Sequence, residues 1–305
     1  MSDKKHLPNL YIDTAISKFL DSCVGTKKAN TIKNYRSHTI IFINILRELR
    51  VFKTKELTWG IIETLVERIK NQKNRVSNKN KNISTINQEI KTLKILLNWW
   101  KKNKIARLAE DSGCAFIHYE KRKKPYYRYL LRDGIKKLLD VAEAEDLQHA
   151  TKIAPFIRFL LLTGMRVREA LAITWDNYNA DAQLILVPST IDKMRTSREI
   201  VLAICPTVAS YLDNKSRTGP RIFEEWNYQN VEYAKNRLTK NGVPKFNFKD
   251  LRTTCAFYMS NCIGKHPRWE SQRLGCSIDL LWKLYLSRFN RGKEGAKTLE
   301  EAMEI

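Results

Sequence analysis

Two runs of apolar residues at helical spacing set the strongest limit on what this chain can fold into. Ile32, Tyr35, Thr39, Phe42, Leu46 and Leu49 step by threes and fours, which lays one mostly apolar stripe along a helix from about Asn30 to Arg50. Ile86, Ile90, Leu93, Leu97 and Trp100 do the same along a second helix, which Thr85 and Gln88 open as a capping box. Shorter helical patterns at Tyr11–Ser22 and Trp59–Asn71 complete a set of four. No strand pattern competes with them, so residues 1–110 are expected to form a four-helix domain.

The chain has 305 residues, enough for two domains, and carries 55 Lys and Arg against 32 Asp and Glu, a net charge of +23. Residues 1–120 contribute +12 and residues 121–305 contribute +11, so the excess is not confined to a tail and points to a polyanionic partner. A hydrophobic content of 43% excludes a disordered basic protein. On the second long helix Asn87, Lys91, Lys94, Asn98 and Lys101 fall away from the core stripe, and residues 71–107 hold ten basic side chains against Glu89 alone. A solvated helix face has this pattern too, but so one-sided a segment favours a DNA-binding face that gains affinity by releasing counterions. Residues 111–125 read as a basic linker, and its run Lys121, Arg122, Lys123 and Lys124 suits a strap across DNA.

The second half mixes types. Helical patterns cover about 133–146 and 151–162, QLILVP and REIVLAI read as a β-hairpin with a nine-residue loop, and helices resume from Pro206. The expected fold is mainly α in two domains, with a small antiparallel sheet in an α-rich domain at 126–305. The six cysteines form no CxxC pair and have no histidine at zinc spacing, which reads as reduced thiols; Cys255 and Cys262 suit buried apolar positions. No apolar stretch is long enough to span a bilayer and the N-terminus lacks a signal core, so a cytoplasmic protein with no membrane partner is expected.

Four patches of the second half concentrate polar chemistry. In LLLTGMRVREALAITW a helix breaks at Gly164 and presents Arg166, with Glu169 three residues on. Lys193 stands in the hairpin loop, Lys249 and Arg252 are helix neighbours at i and i+3, and Cys276 in QRLGC precedes Tyr285 by nine residues. In order and spacing these patches resemble the tyrosine recombinase family, the phage integrase type of site-specific DNA recombinase. The four-helix first half is similar to that family's core-binding domain.

The resemblance implies a reaction and roles for its residues. Tyr285 would attack phosphorus to give a 3′-phosphotyrosine link and a free 5′-hydroxyl, splitting one hard exchange into two easier ones. Arg166 and Arg252 would stabilise the phosphorane, Lys193 would protonate the departing 5′ oxygen, and Lys249 and Cys276 stand where the family more often has histidine, and histidine or tryptophan. His266 is a surface histidine by the simplest reading, with a spatial substitute for the missing histidine as the other. One phosphoester replaces another and the sequence has no glycine-rich phosphate loop or magnesium-type carboxylate cluster, so no cofactor and no metal are expected. The implied partner is double-stranded DNA with paired recombination sites, bound by a homotetramer, and accessory DNA-bending proteins are compatible with it. The tail helix, with Leu299, Ala302, Met303 and Ile305, would pass to a neighbour or fold on its own domain. Integration or excision of a mobile element is the leading reading. A DNA-relaxing enzyme of the type IB topoisomerase kind and a DNA-binding regulator weakened at Cys276 and Lys249 remain as alternatives.

Overall fold

The structure, a computed structural model, describes residues 9–74, 78–106, 117–121, 128–192, 196–285 and 295–305, without the side chains of 282–285. The chain divides into two compact units, Met1–Pro125 and Tyr126–Ile305.

The first unit packs α1 (Ile12–Cys23), α2 (Ala29–Glu48), α3 (Trp59–Asn71) and α4 (Ile83–Lys102) around one core. The apolar stripes explain the packing. Phe42 and Leu46 from α2 and Ile90, Leu93, Leu97 and Trp100 from α4 are almost wholly buried, and Trp100 Nε1 donates to Ala15 O at 3.2 Å, tying α4 to α1. The start of α4 differs from the sequence expectation. Its cap is Asn82, whose side chain accepts from Ser84 N, so the helix begins before Thr85. Asn at this position satisfies a free amide as well as Thr does, and a spacing rule cannot rank the two.

In the second unit α5 (Arg132–His149), α6 (Ile153–Thr163) and α10 (Phe248–Tyr258) form the centre. α6 is buried on nearly every side, as its sequence IAPFIRFLLLT requires. It ends at Gly164, which has a φ of +67°. An added Cβ there would lie 2.6 Å from Leu274 Cδ2, so both backbone and space demand glycine. The short α7 (Val167–Ala170) follows, then an antiparallel sheet of β1 (Tyr178–Asn179), β2 (Leu184–Val187) and β3 (Arg198–Val201) in that order. β1 is too short for periodicity to reveal. In the hairpin Ile185 pairs with Ile200 and Val187 with Arg198, with all four side chains buried. Helices α8 (Pro206–Asn214), α9 (Tyr228–Lys240), α11 (Pro267–Leu274), α12 (Ile278–Tyr285) and α13 (Leu299–Met303) complete the unit, with a π-helical turn at Met259–Ile263 after α10. Cys255 and Cys262 are buried as apolar residues, and burial pushes the Cys255 thiol up to about 12. Among the described residues no helix is long and apolar enough to cross a membrane.

Candidate active site and DNA-facing residues

The candidate site is built on the C-terminal end of α11. Gly275, with a φ of +59°, turns the chain so that Gly275 N donates to Gln272 O and Cys276 N to Ser271 O, both at 3.2 Å. Three carbonyls then remain in succession, and each accepts from an arginine of a different element. Arg273 O accepts from Arg198 Nε of β3 at 3.0 Å, Leu274 O from Arg252 Nη2 of α10, and Gly275 O from Arg166 Nη2 at 2.9 Å. Orphan carbonyls and the negative end of the helix dipole thus hold guanidinium groups that would otherwise repel one another. Arg252 completes its grip by donating from Nη1 to Gly164 O at 2.8 Å.

Two buried carboxylates organise the rest. Glu169, on the first turn of α7, accepts from the backbone N of Arg166 at 3.0 Å, from Arg166 Nη1 at 2.5 Å and from Arg198 Nη2 at 2.5 Å. Asp192 Oδ1 stands 3.1 Å from both Arg166 Nη1 and Arg198 Nη1. Three arginines face two carboxylates, which leaves net positive charge, and the Arg252 guanidinium donates to carbonyls rather than to an anion. Burial, with the Arg166 charge adding, pushes Arg252 down to about 10, still cationic at neutral pH. Side-chain exposure separates the roles: Arg166 keeps 28%, whereas Arg198 keeps 4%. Arg166 is therefore the more open of the two.

Cys276 follows directly. Burial raises its thiol, while Arg252 and Arg166 pull the other way; the net direction is up, so the thiol is neutral at pH 7. Cys276, Gly275, Ser277, Trp269 and Thr196 line a cleft of about 600 Å³ between the hairpin and α11.

Residues 128–262 match the Phage integrase family model. Among solved structures, the chain is similar to a lambda integrase dimer bound to a COC′ core site, at 17% identity and a TM-score of 0.69, covering 93% of this chain and 82% of that one. It is also similar to the Tn1549 transposon integrase in complex with a circular intermediate DNA, at 16% identity and a TM-score of 0.64, covering 90% and 94%. A lambda integrase tetramer bound to a Holliday junction matches at 16% and 0.63, covering 91% and 83%. The fold is thus that of the lambda integrase-like recombinases. No curated protein matches the sequence.

The structure brings Arg166, Arg252 and Cys276 together. Lys249 is exposed on the first turn of α10. Tyr285 is the last residue of α12 and its side chain lies outside the described set, as does all of Lys193. His266 caps the opposite end of α11, accepting from Arg268 N, so it is a helix cap and no substitute for the missing histidine. Arg198 and Asp192 were missed from the sequence. Period-two alternation in REIV puts Arg198 on the same face as the buried Ile200, and a charge in a core-facing register signals a buried ion pair.

The structure also places the residues expected to face DNA in the first unit. Lys91, Asn98 and Lys101 are exposed on α4, Lys121 is exposed, and the Lys94 ammonium sits 4.8 Å from the Tyr119 ring centre. Arg122, Lys123 and Lys124 lie outside the described residues. Asn87 is a correction. It is 5% exposed, donates from Nδ2 to Glu120 O at 2.9 Å and accepts from Glu120 N at 2.8 Å, so its amide latches residues 117–121 onto α4 and is not available to DNA. An amide matches a backbone peptide on both sides, which a burial pattern alone does not reveal. The same segment, expected as linker, adds Ile117 to the first unit's core. Glu89, the one acid of this stretch, is buried and held by Lys81 Nζ at 2.7 Å, so the outer face is wholly basic or neutral.

Proposed function

We propose that the chain is a site-specific DNA recombinase that cuts and rejoins strands through a phosphotyrosine link, for integration or excision of a mobile element. The observation that carries this reading is the pair Arg166 and Arg252, fixed on adjacent carbonyls at the end of α11, in a unit whose residues 128–262 match the family model and whose α12 ends at Tyr285. In the proposed step the Tyr285 oxygen bonds to phosphorus and its proton leaves to solvent. The P–O5′ bond breaks with its electron pair on O5′, and that oxygen takes a proton from Lys193. Charge gathering on the non-bridging oxygens falls to Arg166 and Arg252, whose planar forks are already oriented and need no reorganisation. Cys276 offers only a weak thiol donor beside them. The exposed lysines of α4 supply affinity for phosphates. The lambda integrase likeness includes a tetramer on a Holliday junction, which supports a tetramer on paired sites here.

A duplex nicked just beyond its scissile phosphate tests the reading. The chain should trap a covalent adduct on it, and Tyr285→Phe should bind the duplex equally and trap none. An adduct from the Phe variant would exclude Tyr285 as nucleophile.

A further inference from the structure

We infer that Arg273 of α11 is a positioning residue: its side chain fixes the helix end on which the Arg166 and Arg252 guanidinium groups rest, and so acts on the reacting phosphate through them. This rests on the strand-exchange reading above. Arg273 is 2% exposed, and its described partners are two carbonyls and a thiol, none of them an acid. Its Nη1 donates to Val201 O at 2.5 Å, and its Nη2 to Leu162 O at 3.3 Å and to Cys205 Sγ at 3.5 Å. Val201 closes strand β3, whose first residue is Arg198, and Arg198 Nε donates to the carbonyl of Arg273 itself. One residue therefore holds both ends of that strand. Leu162 lies in the last turn of α6, just before Gly164, whose carbonyl accepts from Arg252, and Arg166 follows in the same stretch of chain.

A guanidinium buried without an acid is costly, and an apolar side chain of similar length would fill its place at comparable stability. Packing alone does not call for an arginine here. The hydrogen bonds do: Leu162 O is an orphan carbonyl at the negative end of α6, and Arg273 ties it to the end of β3 from the last turn of α11. The next two carbonyls along the chain, Leu274 O and Gly275 O, are those that Arg252 and Arg166 hold. A shift of this helix end is thus a shift of both guanidinium groups, and a misplacement of about 1 Å costs about a hundredfold in rate.

The test compares the full chain with Arg273→Met and Arg273→Lys on a duplex nicked just beyond its scissile phosphate. Arg273→Met roughly keeps the length and removes the donors. It should melt within about 5 °C of the unaltered chain and bind the duplex within about threefold, yet form adduct about tenfold to a hundredfold more slowly at saturating DNA. Arg273→Lys keeps the charge and a single donor nitrogen, and its rate should fall between the two. A second readout needs no cleavage. Phenylglyoxal attacks accessible guanidinium groups, and Arg166, whose side chain is 28% exposed, should be modified severalfold faster in either variant, as read by mass spectrometry of the digested chain. Full rate in a folded variant, a rate that falls only with the folded fraction, or an unchanged Arg166 footprint overturns the positioning role. Should Arg273→Met not fold, Arg273→Lys carries the test on the same readouts. An unaltered chain that traps no adduct sinks the strand-exchange reading instead, and the arginine footprint still decides whether Arg273 holds Arg166 in place.

Discussion

Arg198 carries the same charge as Arg166, yet burial leaves Arg166 far more open than Arg198, and this difference separates support from contact within the cluster. Arg252 shows why the residue type matters. Its two terminal nitrogens reach carbonyls on separate elements, Gly164 O and Leu274 O, which an ammonium cannot bridge in the same geometry. Arg252→Lys is therefore expected to lower adduct formation by about a hundredfold or more while leaving duplex affinity within a few-fold; comparable losses in gel-shift affinity would contradict the division of labour. A second residue-scale expectation concerns Glu270 of α11. Its side chain is fully buried, Oε2 accepts from Ser260 Oγ at 2.6 Å, Oε1 has no partner, and burial pushes the carboxyl up to about 7. The folded chain thus holds this proton more tightly than the unfolded one, so stability is greatest below the ordinary carboxylate value of 4.5 and falls as pH rises to about 7. Glu270→Gln should stabilise the protein at pH 8 by at most about 3 kcal/mol and have little effect near pH 4, read from denaturant midpoints at both values. A constant difference across that range would show that Glu270 does not titrate there.

At the scale of elements, the end of α11 does what no single residue does: it lines up three carbonyls for three arginines that arrive from α10, β3 and the start of α7. Gly275 makes that end possible. An added Cβ would lie 3.0 Å from Arg198 Cδ and 3.2 Å from its Nε, on a backbone that already disfavours side chains. Gly275→Ala is expected to cost about 1–3 kcal/mol in thermal or denaturant unfolding and to slow cleavage further than the lost stability explains. In the first unit, Asn87→Ala should destabilise by about 1–2 kcal/mol because the peptide of Glu120 loses both partners in a part-buried place. Its effect on affinity should fall short of that of Lys91→Ala; a larger effect than the lysine's would return Asn87 to the DNA-facing set. The helices themselves were legible as 3.6-residue stripes. The cap at Asn82 and strand β1 were not, because a cap is decided among nearly equivalent polar residues and a two-residue strand has no period.

On the scale of the whole molecule, the proposed function gives each unit a different means: exposed cations on α4 for affinity, and oriented guanidinium groups around α11 for a reacting phosphate. Removing Lys91 or Lys101 should lower the slope of log affinity against log salt by about 1 each, whereas Arg252→Lys should leave that slope unchanged. The tail helix α13 sits on its own unit, with Leu299, Ala302 and Met303 fully buried, Arg132 Nε donating to Ala302 O at 3.0 Å, and Glu300 accepting from Thr207 Oγ1 at 2.7 Å. Deleting residues 291–305 should therefore lower the melting temperature of the isolated protein, and, if neighbours exchange this helix, abolish assembly on paired sites.

The amino-acid order alone was enough for the helical class, the hairpin, the basic character of both halves, and the grouping of Arg166, Arg252 and Cys276, because periodicity, charge and motif spacing are properties of the linear chain. Only the folded molecule decided that Asn87 is a latch, that Arg198 and Asp192 belong to the cluster, and that one helix end holds three arginines. Those facts depend on which buried polar atoms find partners far away in sequence, and that is settled by packing.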